Sequence, residues 1–247
     1  MSLKSLPILV ADGRTAPRVP QGVRLYAVGD IHGRFDLLQT LQHKIDADRA
    51  AHPDREHVEI YLGDYVDRGA DSAAVIERLI DRQISHGVLC LSGNHEDMML
   101  RALDERDAFR HWLTVGGYEA VLSYLNGPPE VDEDRLWAQW RASIRPQHLE
   151  FLRTLGIYHV CGDYVFVHAG LRPGVPLAQQ QREDMLWIRK LFLDHREPFE
   201  HFVVHGHQPV YEVDVRSNRM DIDTRAYDSG RLTCVVLDGD ERFIIST

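Results

Sequence analysis

Three short polar segments follow apolar stretches of strand length, at nearly even spacing along the chain. Their sequences are GDIHG (residues 29–33), GDYVDRG (63–69) and GNHE (93–96). The apolar stretches before them are bounded by glycine turns, as buried strands usually are. Because ligands collect outside the carboxyl ends of strands in open α/β sheets, we expect the three segments to meet at one edge of a sheet.

Two later segments add imidazole groups in the same setting. His168 follows the apolar stretch 164–167, and His205 and His207 follow the stretch 202–204. Zinc, manganese and iron accept imidazole nitrogen, carboxylate oxygen and amide oxygen, and two such ions about 3.5–4 Å apart can hold both oxygens of an in-line displacement. These residues predict a two-metal phosphoesterase site. The five segments contain no cysteine, which argues against a structural zinc site.

The five segments resemble the calcineurin-like metallophosphoesterases, and within them the phosphoprotein phosphatase group, whose pattern is GDxHG, GDxxDRG, GNHE, HxG and GH. The resemblance extends from about residue 26 to residue 247. It implies the metallo-dependent phosphatase fold, an α/β two-sheet β-sandwich flanked by helices. It also implies two divalent metal ions, manganese first with iron or zinc as alternatives, whose bridging hydroxide attacks a phosphomonoester in line without a phosphoenzyme.

The same resemblance assigns ligands to the two ions. Asp64 bridges both, because each of its two carboxylate oxygens can face one ion. The first ion would be held by Asp30, His32 and Asp64. The second would be held by Asp64, Asn94, His168 and His207.

Beyond the metal ligands, the resemblance assigns residues to the chemistry. His95 corresponds to the general acid that protonates the leaving oxygen, and Asp67 is the carboxylate that would keep this imidazole charged and oriented. Arg68 has a planar set of donors suited to two phosphate oxygens. Asn94 and Arg189 are further candidates for phosphate binding, the latter because it follows a tryptophan as in bacterial and phage relatives.

Three residues near these positions have plainer interpretations. His205 and His207 both follow the strand, but the family's ligand is the histidine of the Gly-His pair, so the resemblance implies that only His207 points inward. Glu96 lies in the first turn of a predicted helix, where a carboxylate favours the helix dipole, and we assign it no chemistry. Arg225 stands where the family often has glycine, and we expect it on the surface.

Apolar residues at helical spacing predict helices over residues 34–50 and 71–86. Strands that alternate with helices give parallel pairing, hence the α/β class. From about residue 97 to residue 155 we expect a helical insertion beside the site, with its aromatic residues as helix core. Within it, residues 112–117 resemble the NGG-containing helix of bacterial relatives, with Val115 in place of asparagine.

We expect one domain over residues 1–247, because any division would split ligands that extend from Asp30 to His207. A helix is predicted over residues 182–192. The stretches 235–237 and 243–245 predict a terminal β-hairpin, so the second half is expected to be more antiparallel.

Charge and composition limit the partners. The 247 residues include 28 basic and 38 acidic side chains, a formal net charge of −10, which disfavours a nucleic-acid partner. No apolar run approaches the ~18 residues of a membrane span, and residues 6–10 are too short for a signal peptide. We therefore expect a soluble cytoplasmic protein without a membrane partner, in which Cys90, Cys161 and Cys234 are buried thiols.

Three functions fit these residues. The leading interpretation is a serine/threonine protein phosphatase, with phosphotyrosine as a further candidate, acting on a phosphorylated protein or a small phosphoester. The alternative is a symmetrical bis(5′-nucleosyl)-tetraphosphatase, which shares every motif above. The third is an inactive metal-binding scaffold on the same fold, against which the complete ligand set argues.

Overall fold

Two mixed β-sheets form the centre of the computed structural model, which describes residues 4–7 and 15–247. Within these residues the first sheet has six strands, in the order β1 (Lys4–Ser5), β11 (Glu241–Ser246), β10 (Thr233–Asp238), β2 (Val23–Val28), β3 (Glu56–Tyr61) and β4 (Leu89–Cys90). The second sheet has five there, in the order β5 (Tyr158–Cys161), β6 (Tyr164–Val167), β7 (Phe202–His205), β9 (Arg219–Asp221) and β8 (Asp214–Val215).

The two sheets pack face to face because their strands divide their side chains between two apolar layers. Leu25 and Ala27 of β2 share a buried cluster with Phe166 of β6, whereas Tyr26 and Val28 belong to the cluster on the opposite face. Successive side chains of a strand point to opposite faces, so each strand contributes to both layers. The α/β sandwich flanked by helices is confirmed.

Helices cover both outer faces. The first sheet is covered by α1 (Phe35–Ala51), α2 (Ser72–His86), α3 (Asn94–Asp104), α4 (Arg106–Trp112), α5 (Tyr118–Tyr124), α6 (Glu133–Ser143) and α7 (Pro146–Thr154). The second sheet packs against α8 (Arg182–Trp187) and α9 (Lys190–Leu193), and the short α10 (Ala226–Ser229) precedes β10. A π-helical turn (Leu113–Gly117) joins α4 to α5, and a 3₁₀ turn (Leu177–Gln179) precedes α8.

Helices α1 and α2 begin and end within one residue of their predicted bounds, and β10 and β11 form the predicted hairpin. The helix predicted over residues 182–192 is wrong as one element. It divides into α8 and α9 at Arg189, whose φ of −129° and ψ of −104° lie outside the helical region. The extent of the domain stays a prediction.

The expectation of a more antiparallel second half is confirmed by the pairs β5–β6, β8–β9 and β10–β11, whereas β2, β3 and β4 are parallel; the exception is the centre of the second sheet. Its three central strands, β6, β7 and β9, are parallel, and only the edge strands β5 and β8 pair antiparallel. Helices α8 and α9 lie in the connection between β6 and β7, which allows the chain to return in the same direction. Both strands consequently end at the same edge, where His168 and His207 follow.

Two expectations from composition can be compared with the described residues. Cys90 and Cys234 are buried free thiols, whereas Cys161 is only half-buried because it lies on the edge strand β5. Across residues 4–7 and 15–247, no helix combines the length and the apolar character needed to cross a bilayer.

Candidate metal centre

Glycines allow the loops that follow β2, β3 and β4 to touch one another. A Cβ atom on Gly33 would lie 2.4 Å from the carbonyl oxygen of Gly69, and one on Gly63 would lie 2.5 Å from the backbone nitrogen of Gly93. Both glycines also have positive φ, of +62° and +103°. Side chains at these two positions would therefore separate the loops that bring the polar groups together.

Strained backbone accompanies this close approach. Five of the residues predicted for the site have positive φ, and they are His32 (46°), Asp64 (52°), Asp67 (76°), Arg68 (65°) and His207 (66°). Such conformations cost on the order of 1–3 kcal/mol each and persist where the surroundings enforce them. The enforcement is visible at Asp64, whose carbonyl oxygen accepts hydrogen bonds from the backbone nitrogens of Ile31 (3.0 Å) and His32 (2.9 Å).

The Glu96 carboxylate holds two of these loops to each other. It accepts hydrogen bonds from the backbone nitrogens of Asp64 (2.8 Å), Tyr65 (2.7 Å), Val66 (3.2 Å) and Gly93 (2.8 Å). Burial and the nearby Asp64 raise the pKa of Glu96 to about 7, a rise that these donors oppose. The interpretation of Glu96 as a helix-dipole residue is thus incomplete, because the side chain reaches across to the β3 loop.

Asp64 lies between two groups of imidazoles. Ligand atoms of His32, Asp64 and His95 lie within 4.8 Å of one another, and so do those of Asp64, His168 and His207. All five side chains are buried. Oδ2 of Asp64 is 3.5 Å from Nε2 of His32, and Oδ1 is 3.4 Å from Nε2 of His168, so its two oxygens face different groups.

Acceptor atoms of imidazole and amide side chains face one another at this centre. Nδ1 of His168 lies 3.0 Å from the Leu62 carbonyl oxygen, which can only accept, so this nitrogen carries the hydrogen. Nε2 of His168 is then an acceptor, yet it lies 2.9 Å from Oδ1 of Asn94. The same amide oxygen lies 2.7 Å from Nδ1 of His207, whose buried Nε2 has no hydrogen-bond partner among the described residues. Acceptors that converge in this way fit a cation between them.

The protonation states favour the same conclusion. Burial lowers the pKa of His32 to about 3 and that of His207 to about 2, and it also lowers the pKa of His168. Burial alone would raise the pKa of Asp64, but the surrounding imidazoles lower it below its usual value. Neutral imidazoles around an ionised carboxylate are the states in which these groups bind metal ions.

Asp30 lies beside these two groups of ligand atoms but belongs to neither. Its carboxylate accepts from the backbone nitrogen of His207 at 3.1 Å, and the carboxylate of Asp223 lies close enough to affect its charge. Burial and the carboxylates of Asp223 and Asp64 raise the pKa of Asp30 well above its usual value. The assignment of Asp30 to the first ion stays a prediction.

His95 and Asp67 form the predicted pair. Nδ1 of His95 lies 2.5 Å from Oδ2 of Asp67, and both side chains are buried. Burial by itself would lower the pKa of His95, but the carboxylates of Asp64 and Asp67 raise it above its usual value. Nε2 of His95 remains free of the pair and lies 3.9 Å from Oδ2 of Asp64.

Arg68 lies directly beside this histidine. Its NH2 group is 3.3 Å from Nε2 of His95, and its guanidinium lies over the ring of Tyr227, 4.6 Å from the centroid. The backbone nitrogen of Arg68 donates to the carbonyl oxygen of Gly116 at 2.9 Å, and a Cβ atom on Gly116 would come within 2.8 Å of the arginine side chain. The π-helical turn therefore sets the place of Arg68.

Trp112 is a residue of the site that the sequence interpretation missed. Its side chain is fully buried in the helical core, as expected, but its Nε1–H also donates to Oδ2 of Asp67 at 2.7 Å. The resemblance of residues 112–117 to a helix of bacterial relatives was the available signal. Because the same Asp67 oxygen contacts His95, the indole helps to orient the histidine through the carboxylate.

We expect Trp112→Phe to lower kcat by about tenfold with little change in KM, because an outer partner that orients a functional group typically contributes 10- to 100-fold. Steady-state kinetics on the metal-loaded protein measure both constants. Trp140→Phe is the matched control, since Trp140 is equally buried in the same cluster and its Nε1 has no partner within the described part of the chain. Equal losses of kcat in the two variants would contradict a positioning role for Trp112.

Arg189 and His205 lie at the margin of the centre. Arg189 is exposed, and its NH1 group donates to the side-chain oxygen of Gln208 at 3.1 Å, next to His207. His205 is buried and has other contacts, because its Nδ1 lies 3.0 Å from the carbonyl oxygen of Gly206 and its Nε2 lies 3.3 Å from Arg219. Phosphate binding by Arg189 stays a prediction.

A family model of the calcineurin-like phosphoesterases matches residues 23–237, most of the chain. The chain belongs to this family. It is accordingly a metallophosphoesterase, a hydrolase of the phosphoesterase kind; this family uses divalent metals, and the structure contains two groups of candidate metal-binding residues.

Curated relatives have names that concern nucleotides. The asymmetrical bis(5′-nucleosyl)-tetraphosphatase PrpE of Anoxybacillus flavithermus is 24% identical over 229 residues, which cover 84% of this chain and 88% of that protein. The symmetrical bis(5′-nucleosyl)-tetraphosphatase of Dechloromonas aromatica is 32% identical over 148 residues, which cover 60% of this chain and 44% of that protein. These relatives favour the nucleotide alternative over the protein phosphatase that led the sequence interpretation.

Solved structures share the fold. A candidate diadenosine tetraphosphatase superposes with a TM-score of 0.61 at 22% identity, covering 94% of this chain and 98% of that one. A serine/threonine protein phosphatase from Saccharomyces cerevisiae superposes with a TM-score of 0.54 at 16% identity, covering 91% and 79%. At such identities the likeness concerns the fold alone.

Proposed function

We propose that this protein hydrolyses dinucleoside tetraphosphates at the centre around Asp64. The reaction class rests on one observation, the carboxylate of Asp64 placed between two buried imidazole groups with the His95–Asp67 pair and Arg68 beside them. The substrate class rests on the relatives, one of which matches 84% of the chain.

The residues present fit a pair of divalent ions. His32 and Asp64 would hold one of them, with Asp30 as a further ligand, and Asp64, Asn94, His168 and His207 would hold the other. When bound, such ions polarise phosphate oxygens and make water acidic enough to attack phosphorus at neutral pH. The neutral imidazoles and the ionised Asp64 are already in the states that binding requires.

The remaining residues act on the substrate. His95, whose pKa is raised, would donate the proton at Nε2 to the oxygen that leaves, while Asp67 holds Nδ1. Arg68 would bind two phosphate oxygens through its planar donors. Its guanidinium is 3.3 Å from Nε2 of His95, so the bound phosphate and the proton donor would meet at one point.

Hydrolysis of a dinucleoside tetraphosphate and of a phosphoserine peptide, measured in parallel on the metal-loaded protein, tests the substrate class. We expect kcat/KM for the dinucleotide to exceed that for the peptide by at least about 100-fold, a difference of ~2.7 kcal/mol in transition-state binding. Chromatography of the products should show a nucleoside triphosphate and a monophosphate, as the name of the Anoxybacillus relative implies. Turnover of the peptide without hydrolysis of the dinucleotide would contradict the proposal and restore the protein phosphatase.

A further inference from the structure

Arg225 has a backbone conformation that an arginine rarely adopts. Its φ is 61° and its ψ is 48°, in the left-handed region where glycine carries no penalty. The conformation is enforced by Oδ1 of Asp223, which accepts a hydrogen bond from the Arg225 backbone nitrogen at 2.9 Å. Strain of this kind is retained where a side chain has a task, so the guanidinium itself requires an explanation.

The guanidinium lies over the ring of Tyr211, 4.7 Å from its centroid, and it is paired with Asp228. Tyr211 nevertheless remains 78% exposed, so the arginine covers only part of the ring. Most of the ring is therefore accessible to a ligand, while Arg225 contacts it from one side. Arg225 is thus not the plain surface residue that the sequence indicated.

This pair is connected to the metal centre through the backbone. The Val210 nitrogen, next to Tyr211, donates to the carbonyl oxygen of Asp223 at 2.9 Å, and the carboxylate of Asp223 lies close enough to that of Asp30 to raise its pKa. Tyr211 follows His207 by four residues, so the two Cα atoms are at most about 14 Å apart. A nucleotide whose phosphate is bound at the centre can span a separation of this size.

We propose that Tyr211 and Arg225 form a nucleobase subsite, in which one base of the substrate stacks on the open face of Tyr211. Aromatic side chains stack with any base because every base has a π-face, and the cation–π contact of Arg225 with the opposite face of Tyr211 supports the ring. Although Asp228 offsets part of its charge, Arg225 is a cation on a protein of net charge −10 and so favours the polyphosphate chain. This inference rests on the proposed function and adds the residue that recognises the base.

Replacing Tyr211 separates base recognition from chemistry. We expect Tyr211→Ala to raise KM for a dinucleoside tetraphosphate about tenfold or more, with kcat changed less than about threefold, because stacking acts on binding. Tyr211→Phe keeps the ring and should restore KM to within about threefold of the original value. Ile84→Ala is the control, since Ile84 is 81% exposed near the far end of α2 and should leave both constants unchanged.

Competitive inhibition measures how much the base contributes to binding. In the unaltered protein a nucleoside monophosphate should inhibit at least about tenfold more strongly than ribose 5-phosphate, and Tyr211→Ala should remove that advantage. If the unaltered protein hydrolyses the dinucleotide but Tyr211→Ala leaves KM and the inhibition ratio intact, the subsite is wrong and the proposed function stands. If Tyr211→Ala impairs phosphopeptide hydrolysis alone, the surface binds peptide and the subsite is wrong. An unaltered protein without dinucleotide hydrolysis would overturn both proposals.

Discussion

Asp64→Asn is expected to remove most of the bound metal and to lower turnover by more than about 100-fold, since even partners behind the ligands typically contribute 10- to 100-fold. The reason is that this carboxylate lies between two imidazole groups, so its negative charge would attract the metal ion at each of them. Asparagine keeps an oxygen that can accept from the His95 backbone nitrogen, a bond of 3.1 Å, so the loop should retain its path. Elemental analysis and turnover of the dinucleotide measure the two effects.

Asp81→Asn is the matched control, because Asp81 is an exposed carboxylate on α2 and should affect neither metal content nor turnover. Circular dichroism of both variants establishes whether they are folded. A folded Asp64→Asn protein with full metal and full activity would show that the centre lies elsewhere.

His95→Asn is expected to keep the metal but slow turnover, and the size of the loss should depend on the leaving group. For an alkyl phosphate, whose leaving oxygen needs the proton, we expect a loss of 100-fold or more, within the range of about 10²–10⁴ for proton transfer. For the dinucleotide, which releases a stable phosphate anion, we expect only about a tenfold loss. Comparison of kcat across a series of leaving groups measures the difference.

His43→Asn serves as the control, since His43 is exposed on α1. The structure also allows the opposite result, because the ligand atoms of His95 lie within 4.8 Å of those of His32 and Asp64. Loss of metal in His95→Asn, with equal losses for all leaving groups, would make this histidine a ligand rather than the acid.

The local sequence was enough to predict which edge of the sheets holds the candidate site. Each motif follows directly on a strand, so the meeting of Asp64, Asn94 and His168 followed from the rule that strand ends share an edge. The interpretation failed where contacts join distant segments. The bond from Trp112 to Asp67 spans 45 residues, and no periodicity in either segment indicates it.

The sequence also did not indicate which backbone groups a side chain would contact or where the backbone would leave a regular conformation. Glu96 satisfies the capping pattern of α3, and this local role concealed its bonds to the backbone of the β3 loop. Arg189 interrupts a helix that its neighbours' spacing predicts, because its own dihedral angles depart from the helical region. For Glu96, tertiary contacts outweighed the local pattern.

Asp67 and Arg68 both depend on contacts with the helical insertion, through Trp112 at the end of α4 and Gly116 of the π-helical turn. The candidate ligands follow strands of the two sheets, whereas the helical insertion contacts the proposed partner of the proton donor, Asp67, and the proposed phosphate-binding residue, Arg68, through Trp112 and Gly116. An opening of the insertion alone would leave a protein that retains its ions and has no activity. Hydrogen exchange at the Arg68 amide, which bonds to Gly116, would report the frequency of that state.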